Sequence, residues 1–213
     1  SLPDVDLRFS HFKRSGYKNT KFLPLACNPK YHKKPDRIKI KYKVSYVGSY
    51  HTGRIIDSKA LFNLSIWGIN LSLTVDKRKK NAIDIRKLKK FVRLNLIGPG
   101  WGKVDTFVEK EKLRDIYANS LVCPNYHTET MVRMEGLNER TFQIPACFGF
   151  EICDYVPIVR DSFSQKELVV AKDAKEWYEL ILYYVDNPEE RMEYIVHGYE
   201  RAHRDHTYVL RMK

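Results

Sequence analysis

The chain has 213 residues, with 38 Lys plus Arg against 26 Asp plus Glu and a net charge of +12. Its 43% hydrophobic and 13% aromatic content supplies a substantial core and excludes a disordered chain, which combines low hydrophobicity with high net charge. No apolar run reaches the roughly 18–20 uncharged residues of a membrane-spanning helix, since the longest, around Leu61 to Val75, is broken by Asn63, Gly68 and Asn70. The start, Ser1-Leu2-Pro3-Asp4, carries neither an initiator Met nor a signal-peptide pattern, so the chain is expected to begin mid-protein. Cys27, Cys123, Cys147 and Cys153 form no CxxC pair. That spacing argues against a disulfide framework or a cysteine zinc site and favours a reducing, cytoplasmic setting.

Residues 1–40 are punctuated by Pro3, Pro24, Pro29 and Pro35, and only 21–26 look strand-like, so they read as a linker and the tail of an N-terminal domain. The domain proper is expected over 41–213. The β-branched and aromatic run at 42–49 predicts a strand feeding a loop, and 54–67 allows a helix. Residues 91–97 predict a strand stopped by Gly98-Pro99-Gly100-Trp101-Gly102. A helix over 110–120 and a strand over 121–125 follow, then a polar loop through His127 and Glu135. Next come a helix over 138–147 and strands over 150–154 and 167–170. Two helices close the chain: Trp177, Leu180, Ile181 and Tyr184 share a face of the first, and Met192, Ile195, Val196 and Tyr199 a face of the second. Asn187-Pro188-Glu189-Glu190 predicts an N-cap, a first-position proline and a capping-box Glu for the second. Strands alternating with helices argue an α/β fold, a parallel sheet with helices on both faces.

In such a sheet, ligands bind beyond the carboxyl ends of the strands. Three loops qualify. Gly48-Ser49-Tyr50-His51-Thr52-Gly53-Arg54 places small residues and an Arg where a helix begins, which suits a phosphate; a plain turn with a solvated Arg fits the same residues. Gly98 to Gly102 match neither a dinucleotide fingerprint nor a P-loop, leaving a turn or an aromatic platform at Trp101. The loop from His127 to Gln143 combines Glu135 and Gln143, as hydroxyl acceptors, with Gly136 and a helix start, a pairing suited to a sugar nucleotide. The histidines show no HExxH or comparable spacing, so no metal or other cofactor is expected.

Lys21 to Pro29, Val44-Ser45-Tyr46-Val47-Gly48-Ser49, Leu96-Ile97-Gly98-Pro99-Gly100-Trp101 and Gly136-Leu137-Asn138-Glu139-Arg140-Thr141-Phe142 occur in the order seen in CgeB-like glycosyltransferases. Residues 113–154 and the closing 199–208 carry the most specific part. The chain resembles the C-terminal, donor-binding half of a GT-B enzyme, which implies a Rossmann-like domain and a nucleotide-activated sugar as partner. By that resemblance Gly48, Ser49 and Arg54 lie near the donor diphosphate, and Gly136, Leu137 and Asn138 face the sugar and phosphates. Trp101, His127, Glu135, Arg140, Thr141 and Gln143 complete the donor set, Thr141 capping phosphate. His127 and Glu135 are the candidates for catalysis. The family's second glutamate falls at Gln143, a neutral amide in place of a charged acceptor, and its Ala-Cys-Gly reads Ala146-Cys147-Phe148-Gly149. The resemblance further implies an N-terminal GT-B half, in the same or another chain, that holds the acceptor side.

Positive charge concentrates at Lys33-Lys34, at 37–43, at 77–80 and at 86–90. It reads either as a solvated face or as attraction for an anionic polymer. Three functions therefore compete: a sugar-transferring enzyme domain, a binding module that keeps the fold without turnover, and a nucleic-acid-binding protein supported by charge alone.

Overall fold

The computed structural model describes residues 14–16, 23–47, 94–97, 108–127 and 136–213. Five strands, β1 (Tyr42–Val47), β2 (Leu94–Ile97), β3 (Ser120–Asn125), β4 (Glu151–Asp154) and β5 (Val169–Ala171), form one sheet in the order β2-β1-β3-β4-β5. Every pairing is parallel, with Val47 opposite Ile97, Val44 opposite Val122, Cys123 opposite Glu151 and Ile152 opposite Val169. The chain leaves β1 for β2 on one side and returns to β3 on the other. The strand order thus reverses between β1 and β3, and their carboxyl ends flank the crevice where open sheets of this kind take ligands.

Side-chain alternation supplies both faces. Val44, Tyr46, Val122, Ile152, Val169 and Ala171 point one way and pack under Trp177, Ile181 and Tyr184 of α4 (Ala174–Asp186). The alternate residues Val47 and Cys123 face Tyr117 of α1 (Lys110–Ala118) and Ile144 of α2 (Arg140–Ala146). Cys153 joins Phe142, Ala146 and Phe163 on that same side, closed by Ala202 of α5 (Pro188–Asp205). Two short helices that the sequence pattern does not announce, α3 (Val159–Ser162) and α6 (Tyr208–Arg211), complete the described elements. The linker is tied into the domain: Cys27 donates to the His206 carbonyl at 2.9 Å and accepts from Tyr208 at 2.9 Å, and Ala26 and Cys27 are wholly buried. All four cysteines are free and buried. Burial pushes the Cys27 thiol up to about 11 and the Cys123 thiol to about 12.

The predicted helix over 54–67 lies outside the described residues. The other predicted elements are present with ends moved by a few residues, but on α5 Met192 is half exposed and the buried residues are Arg191, Gly198 and Ala202, so the inward face is offset from the predicted one. The capping pattern is a correction. Pro188 does open α5, but the Asn187 side chain makes no cap, its amide donating instead to the Tyr183 carbonyl at 2.6 Å. Glu190 accepts from the Tyr183 hydroxyl at 2.7 Å. Asn187 also ends α4, where its amide takes the Tyr183 carbonyl while Arg191 donates to those of Tyr184 and Val185. The reciprocal cap sits at the start of α4, where Asp173 accepts from Lys175 and Glu176 while Glu176 reaches back to Lys172.

Phe148 takes a left-handed backbone with φ 64°, a conformation costing a non-glycine residue about 1–2 kcal/mol. Its ring is held edge-on by Tyr199 at 5.4 Å and capped by Lys34 at 4.2 Å. Gly198 sets the approach of α5, since a Cβ there would lie 2.7 Å from the Glu167 carbonyl oxygen, a main-chain atom without freedom to retreat. Gly198→Ala is therefore expected to destabilise by about 1–3 kcal/mol, read as a lower Tm; an unchanged Tm would place α5 farther from residue 167.

Candidate active site

The polar groups of this chain gather where β1, β3 and β4 end. Asn125, the last residue of β3, is fully buried. Its amide donates to Glu151 Oε1 at 2.7 Å and lies 3.1 Å from both Asn138 Oδ1 and Thr141 Oγ1. Its oxygen accepts from Asn138 Nδ2 at 2.9 Å and from Arg140 Nε at 3.0 Å. Asn138 also donates to the Tyr126 carbonyl at 2.8 Å, which pins the loop before α2 against the end of β3.

Arg140 enters from the first turn of α2 and lies across the switch point. Its terminal nitrogens donate to the carbonyls of Val47 at 3.4 Å and Tyr126 at 3.3 Å. The guanidinium stands 5.1 Å from the ring centre of Tyr46 and 5.9 Å from that of Tyr126, two rings that stack 5.5 Å apart. No salt bridge among the described residues joins Arg140 to a carboxylate.

His127 follows β3 and is 1% exposed. Its main-chain N–H donates to both oxygens of Asp154, at 2.9 and 3.0 Å, its Nδ1 is 2.8 Å from Asp154 Oδ1, and its Nε2 is 3.2 Å from Thr141 Oγ1. Both ring nitrogens are thus engaged by protein groups. Cys153 Sγ lies 3.8 Å from His127 Nδ1 and 3.7 Å from Asp154 Oδ1. These three residues converge within 4.8 Å, but their atoms satisfy one another, and burial holds the Cys153 thiol well above its ordinary range. The cluster is a closed hydrogen-bond network.

Of the residues singled out from sequence, His127, Asn138, Arg140 and Thr141 meet in this network, with Thr141 wholly buried and its hydroxyl turned inward. Gly136 and Leu137 are half-buried in the loop leading to it. Gln143 lies on the outer side of α2, its amide donating to Glu139 Oε2 at 3.1 Å, while Tyr208 donates to Glu139 Oε1 at 3.2 Å. Gly48, Ser49, Arg54, Trp101 and Glu135 lie outside the described residues. Sequence reasoning missed Tyr46, Asn125, Tyr126, Glu151 and Asp154. A polar residue at the carboxyl end of an apolar strand was the available signal for Asn125 and Asp154. The basic residues Arg37, Lys39, Lys41 and Lys43 are exposed and lead into the opposite, amino end of β1.

Glu151 is 3% exposed and its Oε2 has no hydrogen-bond partner. Burial pushes its carboxyl up to about 8, against the opposing pull of the Asn125 hydrogen bond and the Arg140 charge. Because the folded value lies above the unfolded one, the associated stability is complete below about pH 4.5 and is lost as pH rises toward 8. Glu151→Gln, which mimics the protonated acid, is expected to gain stability over the parent, read by denaturant unfolding, by an amount that grows between pH 5 and pH 8.5 and reaches on the order of 2 kcal/mol. A pH-independent difference would show that Glu151 does not titrate across that range.

The family model described as glycosyl transferase-like matches residues 78–213, more than half of the chain. Among solved structures, sucrose-phosphate synthase from Thermosynechococcus elongatus aligns with a TM-score of 0.55 at 13% identity, over 96% of this chain and 54% of that one. TarM aligns with a TM-score of 0.51 at 12% identity, over 97% of this chain and 40% of that one. No curated protein matches the sequence. The structural likeness gives the fold, a Rossmann-like α/β domain that makes one half of a GT-B architecture, and the chain spans about half or less of the proteins it matches. From the family match, the chain belongs to the glycosyl transferase-like family.

Proposed function

We propose that this chain is the donor-binding domain of a GT-B glycosyltransferase of CgeB-like type, taking a nucleotide-activated sugar for transfer to an acceptor hydroxyl. The observation that carries the reading is Arg140, a cation set at the β1/β3 switch point by carbonyls and ring faces, with no carboxylate bonded to it among the described residues. Among the described residues, three of the five guanidinium N–H groups find protein acceptors. The remaining two, with the charge, suit the oxygens of a diphosphate. Gly48 and Ser49 follow Val47 directly in sequence, and the reading adds them, with Arg54, Trp101 and Glu135, to the donor set. His127 and Thr141 act as positioning residues, because their side chains are spent on Asp154 and Asn125.

The acceptor and the catalytic base belong to the second half, in the same or another chain. The exposed basic strip at the far end of β1 favours an anionic polymer as acceptor or tether. No helix among the described residues is long and apolar enough to cross a membrane, and the unpaired cysteines suit a reducing compartment such as the cytoplasm. The reading invokes no metal.

Calorimetric titration with nucleoside diphosphates tests it. Arg140→Lys keeps the charge but loses the fork, and is expected to weaken binding by about 1.5–3 kcal/mol, the scale of a hydrogen bond to a charged group. Unaltered affinity in a folded Arg140→Lys variant would move the phosphate site elsewhere.

Gln143 gives a second test. Gln143→Glu alone would set two carboxylates against each other, because the amide now donates to Glu139. The double exchange Glu139→Gln with Gln143→Glu restores a matched pair and presents a carboxylate at residue 143. It is expected to prefer a nucleoside diphosphate over its 2′-deoxy analogue more strongly than the parent does, by about 1 kcal/mol. Equal discrimination would place residue 143 away from the ribose.

A further inference from the structure

Glu151 has no counterpart in the reading above, yet it is the most deeply enclosed carboxyl in the polar network. One side-chain amide links it to Arg140: Asn125 Nδ2 donates to Glu151 Oε1 at 2.7 Å, and Asn125 Oδ1 accepts from Arg140 Nε at 3.0 Å. Glu151 and Arg140 are therefore joined through a rigid carboxamide with no water path needed between them. The other carboxyl oxygen, Oε2, is buried without a partner. No group there solvates an ionised oxygen, and burying an unpartnered charge costs far more than burying a neutral acid.

We propose that Glu151 is a positioning residue that keeps the phosphate subsite cationic by staying protonated, and that its ionisation weakens anion binding at Arg140 through Asn125. This rests on the reading of Arg140 as a phosphate ligand. The direction follows from charge: with Glu151 neutral, Arg140 meets an anion at full strength, and with Glu151 ionised the pair is close to neutral and repels part of the incoming charge. By linkage, the bound anion must in turn hold the proton on Glu151 more tightly, so binding near pH 8 takes up protons.

Other groups near Glu151 do not imitate this behaviour. Cys153 and Asp154 lie on its own strand, Cys123, Tyr126 and His127 on or after β3, Tyr46 on β1, Tyr117 on α1 and Arg140 on α2; α4 brings Tyr184, and β5 carries no titratable side chain. Burial raises the thiols and phenols, Cys123 and Tyr46 to about 12 and Tyr117, Tyr126 and Cys153 well above their usual values. They stay protonated across the range of interest. The His127 imidazole and the Asp154 carboxylate are bonded to each other, at 2.8 Å.

The test uses inorganic pyrophosphate, which probes the phosphate contacts without a base or sugar, titrated calorimetrically into the parent chain and Glu151→Gln between pH 7 and pH 9.5. The parent is expected to lose about tenfold in affinity across that range, the consequence of a ligand-induced pKa change of about one unit, while Glu151→Gln loses much less. Repeating the titration at pH 8 in buffers of different ionisation enthalpy should show more proton uptake by the parent than by the variant, the ligand's own proton exchange being common to both. Parallel pH curves and equal proton uptake in parent and Glu151→Gln would overturn the role of Glu151 while leaving the phosphate site standing. Pyrophosphate binding that is absent, or indifferent to Arg140→Lys, would overturn the phosphate site itself.

Discussion

The carboxamide of Asn125 holds the polar end of the sheet together. It stands at the end of β3, fully buried, and its nitrogen and oxygen contact Glu151, Asn138, Thr141 and Arg140. A buried polar cluster is stable only if its members satisfy one another. Asn125 can do this because a carboxamide both donates and accepts, which neither a carboxylate nor an ammonium does. The loop before α2, the charge of Arg140 and the burial of Glu151 all depend on that one group.

The position of the cluster follows from topology. With β1 between β2 and β3, the chain reverses direction across the sheet between β1 and β3, and main-chain carbonyls at the two strand ends point into the gap. Arg140 spans the gap by donating to Val47 on one side and Tyr126 on the other. The rings of Tyr46 and Tyr126 close it from below. The side chains of Asn138 and Thr141, which flank Arg140 in sequence, turn inward toward Asn125 and His127.

Much of the fold was legible. The parallel α/β arrangement, the order of elements and the two amphipathic C-terminal helices follow from periodicity and turn residues. The site was legible only where its residues sit close in sequence, as Asn138, Arg140 and Thr141 do. Asn125, Glu151, Tyr46 and Asp154 come to those residues from other strands, and strand pairing is not written in any local window. The burial of Glu151 is legible only once Cys123 is seen opposite it. Asn187 shows the converse error: its residue type fits a cap, but it had two helix ends to serve and took the carbonyl of the earlier one. Phe148 takes a left-handed backbone that favours glycine, and its ring contacts Tyr199 and Lys34, which lie 51 and 114 residues away in sequence.

The central claim is that the carboxyl ends of β1 and β3, with the loop from Gly136 to Arg140, form an anion site directed toward a nucleotide-activated sugar. Amide chemical-shift mapping of the labelled chain with uridine diphosphate tests it most directly. The account predicts the largest changes at residues 125–127 and 136–141, together with the Arg140 side-chain Nε–H signal, and little change at residues 33–43. Changes concentrated instead on residues 33–43, at the opposite end of β1, would contradict it.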